Sequence, residues 1–129
     1  GVDLELDPVE WPVFQERNRN LDYQMGYKSY YADFNDPSSM MDLWITGTRT
    51  IPTGWSNERY DALVREAGRS ADRTLRAKNY TEAERILLEE GTIAPYAYST
   101  GFDYVHPYVK GYAAPTFTAM LYKTVSIEK

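Results

Sequence analysis

Trp55-Ser56-Asn57-Glu58-Arg59-Tyr60-Asp61-Ala62-Leu63-Val64-Arg65-Glu66-Ala67-Gly68, continued after a polar break by Arg73 to Gly91, is the stretch on which the fold turns. Tyr60, Leu63, Val64 and Ala67 recur at helical spacing behind a Gly54-Trp55-Ser56-Asn57 stop. The break from Gly68 to Asp72 introduces a longer helix, Arg73 to Glu90. Tyr80, Ala83, Ile86 and Leu87 share its inner face, and Gly91 is its C-terminal stop. Two consecutive amphipathic helices need a surface for their apolar stripes, and the expectation is a flat one, a sheet.

Outward from this pair, the pattern changes period. Val2, Leu4 and Leu6 alternate with Asp3, Glu5 and Asp7, and Tyr23, Met25 and Tyr27 alternate with Gln24, Gly26 and Lys28, the period of half-buried strands. Between them a helix beginning at Glu10 or Trp11, with Pro12 in its first turn, places Trp11 and Phe14 on one face. The span from Pro8 to Leu21 suffices for a helical crossover, so the two strands can be parallel neighbours. Asp36 and Pro37 are placed to begin a short helix around Met40 to Trp44, and Gly47 to Gly54 reads as a loop. Downstream, Ile93, Tyr96 and Tyr98 form a strand demoted to an edge by Pro95, and Phe102 to Val105 and Thr116 to Ile127 are further strand candidates. The expected fold class is α/β, one unit with a mixed sheet, helices on its faces and a long terminal strand.

Composition narrows the function. The chain has 129 residues, the length of one domain, and 14 Lys and Arg against 19 Asp and Glu give a net charge of −5. That balance disfavours nucleic acid and anionic membranes as partners. No stretch without a formal charge is longer than Gly91 to Phe102, which is shorter than a bilayer crossing. With no Cys there are no disulfides, thiolate metal sites or thiol nucleophiles. Of 19 aromatic residues 12 are Tyr, rings with a polar tip that suit half-wet clefts and interfaces. The chain opens without Met and without a signal-like segment, so it is expected to be an excised or processed piece.

Catalytic motifs are sparse. His106, the single His, stands beside Pro107 and reads as a turn residue rather than a catalytic one. No nucleophile elbow, phosphate loop or dinucleotide fingerprint occurs, so no cofactor is expected. Pro37 and Ser38 stand where a calcium loop of the common kind would need Asp or Asn and Gly. Asp33 and Asp36 could do glycosidase-type acid and base work, a minor reading, since three residues of spacing fix neither separation nor acidity. Asn79-Tyr80-Thr81 matches a glycosylation acceptor, but inside the long helix it reads as chance.

Asp33 is better suited to recognition. It leaves the expected second strand at its carboxyl end, where open α/β sheets bind ligands. A carboxylate among the rings of Tyr30 and Tyr31 suits a cation such as a peptide ammonium, while the main chain of the segment can pair with an extended ligand. Pattern alone favours a plainer role, organising the turn before Asp36-Pro37. Trp11 and Tyr30 likewise read as core or as ligand platform. A carbohydrate-binding module, with Tyr and Trp as sugar platforms, is the alternative.

One resemblance covers nearly the whole chain. Gly1 to Leu6, Glu10-Trp11 with Phe14, Tyr31-Ala32-Asp33-Phe34-Asn35-Asp36-Pro37, Trp55-Ser56-Asn57 with Tyr60-Asp61-Ala62-Leu63, Tyr80 with Ala83-Glu84, Ile93-Ala94-Pro95-Tyr96, and Pro107 with Val109-Lys110-Gly111-Tyr112 follow one another in a specific order. In this the chain resembles the C-terminal-lobe segment of an extracytoplasmic solute-binding protein of the oligopeptide/dipeptide-binding family, which serves ABC importers. The resemblance implies a periplasmic-binding-protein type II lobe, no catalysis, and work with permease subunits from outside the cytoplasm, in the periplasm or as a cell-surface lipoprotein. It implies that residues 1–129 are one fragment whose terminal strand, about residues 116–127, returns towards the other lobe. It assigns Asp33 to the ligand ammonium, main-chain bonds to Tyr31 beside Ala32, and pocket-lining rings to Tyr30 and Trp11, reversing the preference for the turn reading of Asp33. A sugar-specific receptor is the cousin alternative. Without its native sheet partner, the terminal strand is expected to make a homodimer by strand exchange.

Overall fold

Helices carry most of the regular structure in this computed structural model, which describes residue 1, residues 3–114 and residues 122–128. They are α1 (Trp11–Asn20), α2 (Ser38–Met41), α3 (Glu58–Arg69) and α4 (Arg73–Glu89), with a 3-10 turn, Asp42–Trp44, directly after α2. Side chains set where the main pair begins. Asn57 accepts from the Tyr60 N–H at 2.9 Å, and Asp72 accepts from the N–H groups of Thr74 and Leu75 at 2.8 and 3.3 Å. Gly91 ends α4 in the left-handed conformation, φ 65°. Thr92 N–H there returns to the Leu87 carbonyl, and Gly91 N–H to that of Leu88.

The two apolar stripes read from the sequence face each other. Tyr60, Leu63, Val64 and Ala67 of α3 and Tyr80, Ala83, Ile86 and Leu87 of α4 are all buried and form one cluster. Met41, Trp44, Ile45, Trp55 and Ile93 pack around it. The helices therefore pack on each other and on the α2 region rather than on a sheet. Full burial of each large side chain contributes about 1.5–3 kcal/mol, which makes this hairpin the stability centre. Polar groups close it: Glu90 accepts from Trp55 Nε1 at 2.7 Å and Asn57 Nδ2 at 2.6 Å, tying the end of α4 to the start of α3. Buried Asp61 accepts from Thr46 N–H and pairs with Arg65.

The mixed sheet expected from the alternating segments is not formed among the described residues. Among the described residues, 3–7, 23–28, 93–98 and 102–105 have no ladder partner, and the one sheet is an antiparallel pair, β1 (Val109–Lys110) with β2 (Ser126–Ile127). The physical reason is that a period of two shows which side chains share a face, whereas the strand itself needs another strand to accept and donate its main-chain hydrogen bonds. Residues 23–28 are held instead by side chains, with Tyr23 Oη donating to the Pro52 carbonyl at 2.7 Å and Lys28 to the Thr50 carbonyl at 3.2 Å. Of the expected terminal strand and the first strand, residues 116–121 and Val2 lie outside the described residues. Gly111 lets β1 turn away. Its φ is 70°, and a side chain there would run into the Thr124 carbonyl.

Helix α1 starts where the sequence places it, with proline in its first turn, and ends at Leu21 with φ 57°. It buries none of its residues. Arg17 on it pairs with Asp7 at 2.6 Å. Among the described residues no helix is long and apolar enough to cross a membrane.

Candidate ligand-recognition site

Residues 30–37 lack regular structure until α2 begins, so contacts alone fix their course. The Asp33 N–H donates to Oγ of Ser39 at 2.8 Å, and Ser39 is buried on α2. The Asp33 carboxylate is exposed and receives one long bond, from the Tyr30 hydroxyl at 3.5 Å. It makes no ion pair among the described residues. Asp36 is the opposite case. One oxygen accepts from Ser38 N–H at 2.9 Å, capping α2, and the other is paired with the Arg76 guanidinium. These bonds, the Ser38 N–H foremost, hold the Asp36 carboxyl below the usual carboxylate range. A general acid needs the reverse, so Asp36 is suited to anchoring and not to the acid role of a carboxylate pair.

The other predicted site residues are distributed. Tyr30 and Ala32 are half-buried, and Tyr31 is exposed. Trp11 is also exposed and stacks on Phe14 with ring centroids 5.5 Å apart. Tyr30 and Asp33 are thus brought together, whereas no hydrogen bond or ring contact joins Trp11 to them among the described residues. Asn79 is buried and donates to Glu66 at 2.8 Å, in keeping with reading its acceptor pattern as chance. His106 sits at a turn, its carbonyl accepting from Val109 N–H at 2.9 Å and its ring 3.7 Å from that of Tyr108. No group of three or more metal-ligating side chains occurs among the described residues.

Arg76 was not singled out by the motifs, yet it organises the region. Its guanidinium donates to the Ala67 carbonyl at 2.6 Å and to Asp36, and lies 5.4 Å from the centre of the Tyr80 ring. The signal lies in the spacing: Arg76 precedes Tyr80 and Ala83 on the apolar stripe of α4, and a cation there demands partners. Nearby, Asp42 has its carboxyl pushed up, by burial first and then by the Asp36 charge.

No protein-family model matches the chain. Among curated proteins it is 34% identical over 111 residues to the dipeptide-binding protein DppE of Bacillus subtilis (strain 168), a match covering 86% of this chain and 20% of that one. It is 35% identical over 101 residues to the oligopeptide-binding protein OppA of the same organism, covering 78% and 18%. The periplasmic murein peptide-binding protein MppA of Escherichia coli (strain K12) is 31% identical over 115 residues, covering 87% and 21%. The chain thus spans about a fifth of the length of these relatives. These matches make it a relative of binding proteins, not of enzymes. Within that class its kin are the oligopeptide/dipeptide-binding proteins, as the ordered motifs suggest. They do not favour the carbohydrate reading.

Proposed function

We propose that this chain is the ligand-recognition segment in the C-terminal, type II lobe of a peptide receptor that serves an ABC importer outside the cytoplasm. Asp33 is the counter-ion for the α-ammonium of a bound peptide. Tyr31 and Ala32 offer main-chain groups to an extended ligand, and the rings of Tyr30 and Trp11 line its side-chain pockets. One observation carries the reading: of the two carboxylates in residues 30–37, Asp36 is committed to Arg76 and a helix cap, while Asp33 has no cation of its own among the described residues. The relatives, named for binding dipeptides, oligopeptides and murein peptides, support a peptide as the class of ligand.

The two lobes of such a receptor close over the ligand, so affinity requires both walls of the cleft. Permease subunits are the partners that receive the cargo. Calorimetry with a tripeptide pool tests the proposal. In the full-length receptor, Asp33→Ala should weaken binding by about 2–5 kcal/mol, the cost of leaving one partly desolvated charge unpaired. The chain alone should bind poorly. Unchanged affinity in Asp33→Ala removes Asp33 from the site.

A further inference from the structure

The hydrogen-bond network around α2 extends beyond Asp33 itself. A carboxylate selects a cation by position as much as by charge, and residues 30–36 hold no helix or strand that could set that position. Helix α2 has four residues, too few to be stable by its own hydrogen bonds, so its place is borrowed from the hairpin. Two links carry it. The Arg76 guanidinium, fixed by the Ala67 carbonyl and lying over the Tyr80 ring, holds Asp36, and Asp36 in turn caps α2 through Ser38 N–H. From α2, buried Ser39 accepts the Asp33 N–H. Tyr60 Oη adds a third tie, donating to the Met41 carbonyl at 2.5 Å.

We infer that Arg76 and Ser39 are positioning residues for ammonium recognition, Arg76 locking α2 onto the α3–α4 hairpin and Ser39 fixing the Asp33 main chain on α2. The inference rests on the proposed pairing of Asp33 with a peptide ammonium. Arginine suits the post because its planar fork serves two acceptors at once, the Ala67 carbonyl and the Asp36 carboxylate. Lysine can keep the charge near Asp36 but presents one compact ammonium to both.

The test uses the full-length receptor and two probes, a tripeptide pool with free amino termini and the same pool N-acetylated. Its readout is the ratio of apparent affinities for the two, which general loss of stability does not move. Ser39→Ala and Arg76→Met should each lower that ratio about tenfold, the order of one lost net hydrogen bond. Arg76→Lys should restore part of the loss. A ratio unchanged in Ser39→Ala overturns the role of Ser39. A ratio unchanged in Arg76→Met, or equally low in Arg76→Lys and Arg76→Met, overturns that of Arg76. Should Arg76→Met fail to fold, the comparison of Arg76→Lys with wild type decides, an unchanged ratio again counting against it. Asp33→Asn separates the two levels. If it leaves the ratio intact the ammonium reading fails, whereas a collapse there with intact ratios in the other variants defeats this inference alone.

Discussion

The α3–α4 hairpin and the arms around it (residues 3–7, 23–28 and 93–105) carry equally regular sequence patterns and meet different ends. In the hairpin every apolar residue of the two stripes is buried, Tyr60 and Ala83 fully so. In the arms Leu6 is 87% exposed and Tyr98 101%. Helical hydrogen bonds close within the segment, and the second helix supplies the apolar face that the first requires. A strand draws both its hydrogen bonds and its covering face from elsewhere. The hairpin thus closes its own hydrogen bonds and most of its apolar faces, whereas the arms do neither among the described residues.

The largest expected effect lies in the hairpin. Tyr60→Ala removes a fully buried ring together with its hydrogen bond to the Met41 carbonyl, and should cost about 3–5 kcal/mol in denaturant unfolding followed by circular dichroism. Tyr98→Ala should stay within about 0.5 kcal/mol. Similar losses at both positions would erase the contrast between hairpin and arms.

Acid should sharpen the boundary between the hairpin and residues 33–39. Because the Asp36 carboxyl is depressed when folded, its contribution is fully present above the ordinary carboxylate value and is lost as pH falls through the lower, folded one. Asp42 has the opposite sign. Its raised carboxyl carries a penalty at neutral pH that disappears as pH falls through the raised value. Amide exchange should therefore show residues 33–39 loosening well below about pH 4, the ordinary carboxylate range, while α3 and α4 remain protected. Asp36→Asn should shift that loosening to neutral pH, and simultaneous release of both regions would contradict the account.

The smallest expected effect is association through the arms. Unpaired edges flanked by exposed rings favour pairing with a second copy, so light scattering should detect dimer at high concentration of the isolated chain. Monomer throughout would show that the arms are sufficiently solvated as they stand.

How much of this was legible in the sequence follows the same division. Tyr60, Leu63, Val64 and Ala67 announced their burial by period alone, and Pro12, Asp36 and Gly91 marked helix ends through local chemistry. The alternation at 23–28 was equally clear but could not name a partner, and the segment settled along the loop at Thr50 and Pro52 through side-chain bonds. Long-range polar ties such as Arg76 with Asp36, or Glu90 with Trp55, follow no period, so only the structure reveals them. At the candidate site, Tyr30 and Asp33 were named separately from the sequence, whereas the bond between them and the anchoring of Asp33 by Ser39 were not.

The central claim, that Asp33 meets the amino terminus of a peptide, is tested most directly by a crystal structure of the full-length receptor loaded with a tripeptide. The ligand's ammonium nitrogen is expected about 2.7–2.9 Å from an Asp33 carboxylate oxygen, with Ser39 still holding the Asp33 N–H. A peptide whose ammonium lies against another acidic group, with Asp33 facing bulk solvent, would contradict it.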